Sequence, residues 1–286
     1  MNLLNKGILN MKWLTKLFAV TVLGVFLSGC IEMRTVVTVK KDGSGLVEEN
    51  IFIGKEIINM FKEFAAAFAD STQPQQEFKM FEEEKIKAKA SELGEGIEFV
   101  SMKNIITDEK EGYTAIYKFK DLNTVKVNQD PSNEMPMGES QEGSDTTSEY
   151  VFFKFIKGTP NRIEFKLPEG KKEDKSVDTT KTDEPATNEI PPDSADVEKM
   201  IKFMKDMRVK IEIKIDGEIT KTNATHVDGN TVTLFDIDFG QLISDTEKFE
   251  EFKKVNPDSF EEVKKLVSGI PGMKIELNKE VFIEFE

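Results

Sequence analysis

The sequence predicts an α+β fold built on antiparallel β-sheet, and three observations carry that prediction. Runs of alternating apolar and polar residues come in adjacent pairs around Gly- and Asp-rich turns, as hairpins do. Amphipathic helical stripes come in pairs between those hairpins, not singly between strands, which argues against parallel βαβ winding. Phenylalanine occurs 22 times against three Tyr and one Trp, so the core should rest on Phe, Ile and Val.

Taken in order, residues 33 to 53, MRTVVTVKKDGSGLVEENIFI, read as two strands around Asp42-Gly43-Ser44-Gly45, whose glycines accept positive φ. Beyond Gly54, residues Ile57, Ile58, Phe61, Phe64, Ala65 and Phe68 recur at helical spacing. A second helix over 77 to 93 puts Phe78, Phe81, Ile86, Ala90 and Leu93 on one face, and Gly94 ends it. Residues 97 to 107 and 112 to 120 form another hairpin. There Tyr113, Ala115, Tyr117 and Phe119 alternate against Thr114, Ile116 and Lys118.

Residues 128 to 148, NQDPSNEMPMGESQEGSDTTS, then lose all apolar periodicity. Such a composition cannot bury enough surface to offset chain entropy, so this insert is expected to be disordered. YVFFKFIKG and NRIEFKLPEG make a hairpin turning at Gly158-Thr159-Pro160-Asn161, and a second polar insert of the same kind covers 169 to 195. A short helix near 196 to 206 precedes strands at 207 to 215, 218 to 226 and 230 to 239. Helices near 245 to 254 and 257 to 268 and a strand at 279 to 285 follow. The hairpins of 33 to 53 and 207 to 239 could lie in one sheet or in two.

The first 29 residues are of another kind. Lys12 and Lys16 precede an uncharged run from Leu17 to Leu27, and no acidic residue occurs before Glu32, the pattern of a secretory signal. The run is far short of the roughly 20 residues that span a bilayer as a helix. It ends in Leu27-Ser28-Gly29-Cys30, which contains the only cysteine and resembles the lipobox of bacterial lipoproteins. That resemblance implies cleavage between Gly29 and Cys30, a diacylglyceryl group on the Cys30 thiol, and a further acyl chain such as palmitate on the new amino terminus. Two or more chains make anchoring stable where one gives only marginal binding. The expected organisation is a signal peptide over 1–29 and an extracytoplasmic α+β domain over 30–286. Its expected place is the cell membrane or outer membrane, facing the periplasm or exterior. Only Ile31 and Glu32 separate Cys30 from the first strand residue, a reach of about 10 Å, so the first hairpin is expected against the headgroups.

Composition excludes several classes. The formal charge of −14 becomes −17 once residues 1–29 and their three lysines are removed, and no Lys/Arg cluster is long enough to displace counterions from a polyanion. Nucleic acid is therefore not an expected partner. A lone cysteine leaves no intramolecular disulfide. The one histidine, His226, reads as a solvated residue beside a turn and excludes most nucleophile–base–orienter sets and His-rich metal sites. Asp228, Asp236 and Asp238 lack the loop of an EF-hand, and spacing of that kind arises by chance among 53 acids. Asn223-Ala224-Thr225 is likewise read as a chance acceptor triplet. No catalytic residue, metal site or cofactor is assigned.

Two blocks, VTVKKDGSGLVEENIFIG and KIDGEITKTNATHVDGNTVTLFDID, are similar to the LppM-type lipoprotein domain, in which an early DGSG-like hairpin and a late GNTVT-like strand pair bracket the fold. The resemblance implies a non-enzymatic, membrane-anchored, β-rich domain linked to lipid or glycolipid binding, and it supplies no ligand residue. This chain departs from it in its two polar inserts and in having no apolar spanning segment after residue 30. The resulting expectation is an envelope lipoprotein, held to the membrane through acylated Cys30, that binds a lipid, another apolar ligand or an envelope protein. The alternative is a structural or assembly partner with no small-molecule ligand. The helix face of Phe61, Phe64 and Phe68 is the candidate apolar-ligand surface, weighed against ordinary core packing.

Overall fold

The computed structural model describes residues 31–59, 62, 80–129, 150–167, 205, 207–252, 260–270 and 272–286. The expected signal peptide, Gly29, Cys30, the Phe61, Phe64 and Phe68 face, nearly all of both polar inserts and most of the helix near 196 to 206 lie outside the described residues.

The period-two segments become strands as their alternation demands. Strands β1 (Ile31–Val39) and β2 (Gly45–Gly54) form the first hairpin. Its turn is closed by Asp42, whose Oδ1 accepts from the Ser44 amide (3.0 Å) and hydroxyl (2.7 Å), while Gly43 sits at φ 84°. Residues 55–59 are helical, with Ile57 and Ile58 buried. The second predicted helix is real but broken into α1 (Glu83–Ala88) and α2 (Ala90–Leu93), ended at Gly94 with φ 139°. Strands β3 (Glu98–Ile106) and β4 (Lys110–Phe119) make the next hairpin. A 3₁₀ turn at Leu122–Thr124 leads to β5 (Lys126–Asn128), and β6 (Tyr150–Ile156) pairs with β7 (Asn161–Lys166). Then come β8 (Met207–Ile215), β9 (Ile219–Thr222), β10 (Val227–Asp228) and β11 (Thr231–Asp238). Helices α3 (Phe239–Ser244), α4 (Thr246–Phe252) and α5 (Phe260–Val267) precede β12 (Lys274–Ile275) and β13 (Glu280–Phe285).

The α+β class with paired amphipathic helices is overturned. Two sheets dominate, and among the described residues the α-helices are short: none exceeds the eight residues of α5. The described helices are short pieces of four to eight residues and form no layer of their own. The larger sheet has eight strands in the order β10-β11-β8-β1-β2-β4-β3, with β12 beside β11; the smaller runs β5-β6-β7-β13-β9. The hairpins of 33 to 53 and 207 to 239 thus share one sheet. They meet through a parallel β1–β8 pair, with Ile31 opposite Met207 and Val39 opposite Ile215, so pairing is not antiparallel throughout.

Alternation decides what each sheet buries. On the larger sheet Val37, Val39, Val47, Ile51, Ile53, Tyr113, Ala115, Tyr117, Phe119, Ile211 and Ile213 face inward, and on the smaller one Val151, Phe153, Ile163, Phe165, Val281, Ile283 and Phe285 do, all in one continuous core. The first turn ties the sheets together. The Gly43 carbonyl accepts from the Leu122 amide (2.9 Å), and a Cβ on Gly43 would lie 2.6 Å from the Phe155 ring of the smaller sheet. At the same end Asp216 donates to the Val39 carbonyl and Glu218 to that of Glu286. Strands β1 and β13 therefore both finish beside the 216–218 turn.

Two inward carboxylates need partners in this core. Glu49 on β2 accepts from the Tyr113 hydroxyl at 2.6 Å, and Lys89 reaches both groups at 3.5 and 3.3 Å. Two positions along, the Tyr117 hydroxyl donates to the Ile86 carbonyl of α1 at 2.8 Å. Glu276 is fully buried and accepts from the Thr225 amide (2.7 Å), the Thr225 hydroxyl (2.6 Å) and the Asn278 amide (2.8 Å). Four donor contacts stand in for the lost hydration of that carboxylate, since Asn278 Nδ2 also reaches it at 3.2 Å.

Candidate functional site

The outward face of the smaller sheet breaks the rule that alternation sets. On β6 the outward parity carries Tyr150, Phe152 and Lys154, and on β13 it carries Glu280, Phe282 and Glu284, so aromatic rings stand among charges. Phe152 is 54% exposed, a large apolar surface left in water beside Tyr150. The pairing Lys126↔Phe152↔Lys166↔Glu280 makes one row, and Lys154↔Glu164↔Phe282 the next. Apart from Lys126, which stands beside it, these residues line an open cleft of about 860 Å³, within the usual range for ligand sites.

The cations of this cleft are held by two kinds of partner. Arg162 lies over the Phe282 ring at 4.2 Å from its centroid while bonding Glu164 at 2.8 Å and Glu284 at 2.7 Å. Lys126 stands 4.5 Å from the Tyr150 ring, and Lys154 pairs with Glu164 at 3.4 Å. The hydrogen bond from Arg162 is the main cause holding Glu164 below the ordinary glutamate range, and Lys154 adds to it; Glu164 in turn raises Arg162. Glu164 is thus ionised at neutral pH and its cations are oriented before any ligand arrives. Chemically, the surface offers aromatic faces for apolar groups, bordered by fixed charges of both signs and by Asn223, whose side chain bonds the Glu280 carbonyl (2.9 Å) and the Phe282 amide (2.8 Å).

None of these residues was singled out in the sequence as a site. The usable signal was there: Phe152 and Phe282 fall on the charged parity of otherwise regular strands. Asn223, read as a chance acceptor triplet, closes the β9 end of the cleft. His226 is half-buried, not solvated, and its Nε2 lies 3.0 Å from the Ile275 carbonyl. Asp236 faces outward on the larger sheet, bonded by Arg208 at 2.8 and 3.0 Å with Lys210 at 3.5 Å, and Asp238 caps α3 through the Gln241 amide. Among the described residues no three His, Cys, Asp or Glu side chains converge as metal ligands, and no helix is long and apolar enough to cross a membrane.

No family model matches the chain, and no curated protein does. Among solved structures it is similar to the NMR structure of the folded domain of LppM from Mycobacterium tuberculosis, at 14% identity over 75% of this chain and 86% of that one. The TM-score of 0.27 is too low for that likeness to carry any argument about fold or function.

Proposed function

We propose that this protein is a lipid-anchored envelope lipoprotein without catalytic activity that holds an apolar or amphiphilic ligand on the outward face of its smaller sheet. The observation that carries the reading is the exposed Phe152, set with Tyr150 and Phe282 in a cleft whose charged rim is already ion-paired. An acyl or other apolar group covers the rings, and a polar head meets Lys154, Lys166 or Asn223. This places the ligand surface on strands β6, β7 and β13 in preference to the helix face of Phe61, Phe64 and Phe68. The anchor rests on the Leu27–Cys30 tetrapeptide and the apolar run before it.

A second reading, a protein partner in the envelope, is favoured by β3. Among the described residues this nine-residue edge strand pairs with β4 alone and exposes Val100 and Ile106, though a bulge at Val100 and the charge of Lys103 both discourage edge pairing.

The test is native mass spectrometry of residues 31–286 mixed with total envelope lipid, beside the Phe152→Ser variant. A stoichiometric lipid adduct should form and weaken roughly tenfold in the variant, since uncovering one Phe is worth at least about 1.4 kcal/mol. An adduct indifferent to Phe152 removes the cleft from the reading, and no adduct at all moves the weight to the partner protein. In cells, Cys30→Ala should leave unprocessed precursor; normal processing of that variant sinks the anchor.

A further inference from the structure

The structure fixes which part of the domain adjoins residue 30. Ile31 is the first residue of a central strand, paired on one side with Ile53 and on the other with Met207. The first hairpin has neighbours on both edges, and the end of it that adjoins residue 30 is a strand end in the middle of the larger sheet. The row through Ile31 continues to Ile53, Glu111 and Ile106, the last on edge strand β3, three strand spacings or about 14 Å from Ile31.

Ile106 is 70% exposed, the highest value among the exposed large hydrophobics of the described residues. It is held out by a fixed turn: Thr107 Oγ1 accepts from the amides of Glu109 (3.3 Å) and Lys110 (3.0 Å), and Lys55 donates to the Glu109 carbonyl at 2.9 Å. Asp108 and Glu109 follow it in the turn, and Glu111 is its cross-strand partner. Lys110 in the same turn is directed back over the Phe52 ring at 4.9 Å and toward Glu32 at 3.8 Å. Among the described residues, this strand end therefore presents the exposed Ile106 beside the acidic collar of Asp108, Glu109 and Glu111.

We infer that this end, Ile106 with the turn that follows it, is seated in the headgroup layer of the membrane holding Cys30, with its acidic collar against the ammonium groups of zwitterionic lipids. The inference rests on the lipid-anchor reading above and is independent of the cleft. The chemistry is complementary on both counts: an isoleucine gains by leaving water at the interface, and carboxylates are attracted by choline or ethanolamine and repelled by anionic headgroups. With Ile31 itself in the sheet, one peptide link of about 3.8 Å separates Cys30 from it, so the row lies close to the headgroups.

Because acylation consumes Cys30, a cysteine introduced elsewhere in the mature protein can be labelled alone. The full acylated protein is placed in phosphatidylcholine vesicles with an environment-sensitive fluorophore at Ile106→Cys or at Val227→Cys. Val227 is also exposed but pairs into the row of Ile213 and Val37, about 20 Å farther along the strands. The expected result is a blue shift and quenching by headgroup-attached quencher at position 106, several-fold stronger than at 227 and weaker when phosphatidylglycerol replaces half the lipid. Equal quenching at the two positions, or stronger quenching at 227, overturns the seating. Stronger quenching at 106 with anionic lipid overturns the role of the collar. A mature mass without acyl chains overturns the anchor reading and this inference with it, whereas a normal acylated mass with no preference for 106 leaves the anchor standing.

Discussion

Tyr113→Phe and Tyr117→Phe remove one hydroxyl each from inward positions of β4 on either side of Ala115, both nearly inaccessible to solvent, and differ in what that hydroxyl binds. Tyr113 donates at 2.6 Å to the buried Glu49 carboxylate, which Lys89 also approaches; Tyr117 donates at 2.8 Å to the neutral Ile86 carbonyl. A hydrogen bond to a charged group contributes about 1.5–3 kcal/mol and a neutral one about 1 kcal/mol. Tyr113→Phe should therefore cost about 2 kcal/mol and Tyr117→Phe about half that. For a chain of this size each kcal/mol is worth about 2–4 °C in Tm, so the first variant should melt about 4–8 °C below the parent. Urea midpoints at constant m report the same difference as free energy. A cycle with Glu49→Gln isolates the cause: in that background the Tyr113→Phe cost should fall to that of the neutral bond. Equal costs for the two tyrosines, or a Tyr113→Phe cost unchanged by Glu49→Gln, would refute the claim that the buried carboxylate is what makes this contact strong.

Two further outcomes follow from the geometry. Gly43→Ala places an L-residue at φ 84° with its Cβ 2.6 Å from the Phe155 ring; left-handed backbone alone costs about 1–2 kcal/mol, so a loss of at least about 2 kcal/mol is expected, partly recovered in Gly43→Ala/Phe155→Ala. A loss unchanged in the double variant would show that the ring contact does not matter. Glu164 is held below its ordinary value chiefly by Arg162, so the stability it contributes is present above the unfolded carboxylate value and is lost as pH falls through the lowered folded one. Carboxyl ¹³C titration should therefore place its midpoint below that of a free glutamate, and Arg162→Gln should move it upward; an unmoved midpoint contradicts the assignment.

What the sequence made legible was local. The 33 to 53, 97 to 120 and 150 to 167 hairpins were readable because alternation and turn chemistry lie within a few residues of one another, and Tyr113 to Phe119 face inward as their parity required. Class was misjudged because amphipathic stripes show that a segment is covered on one side, not how large a layer it forms. The parallel β1–β8 pair has no turn to announce it, and β5 and β12 are too short to show a period. The cleft was overlooked for a different reason. A Phe on the charged parity of YVFFKFI looks like one more apolar residue until the register puts it beside Lys126 and Lys166.

The parallel pairing also dictates an order of events for a chain that is synthesised amino terminus first. Arg34 and Glu212, joined at 2.8 Å across β1 and β8, are 178 residues apart in sequence. Bringing such distant partners together costs about 3 kcal/mol more loop entropy than closing the first hairpin. While β8 is still unmade, β1 emerges with its inner Val37 and Val39 and one unpaired edge, which is the kind of surface that recruits the wrong neighbour. Any chain released before residue 215 would lack a strand from the middle of the larger sheet, not from its rim. Quality control of this protein should thus act on its last third, and a pause in synthesis before β8 should be more damaging than one after it.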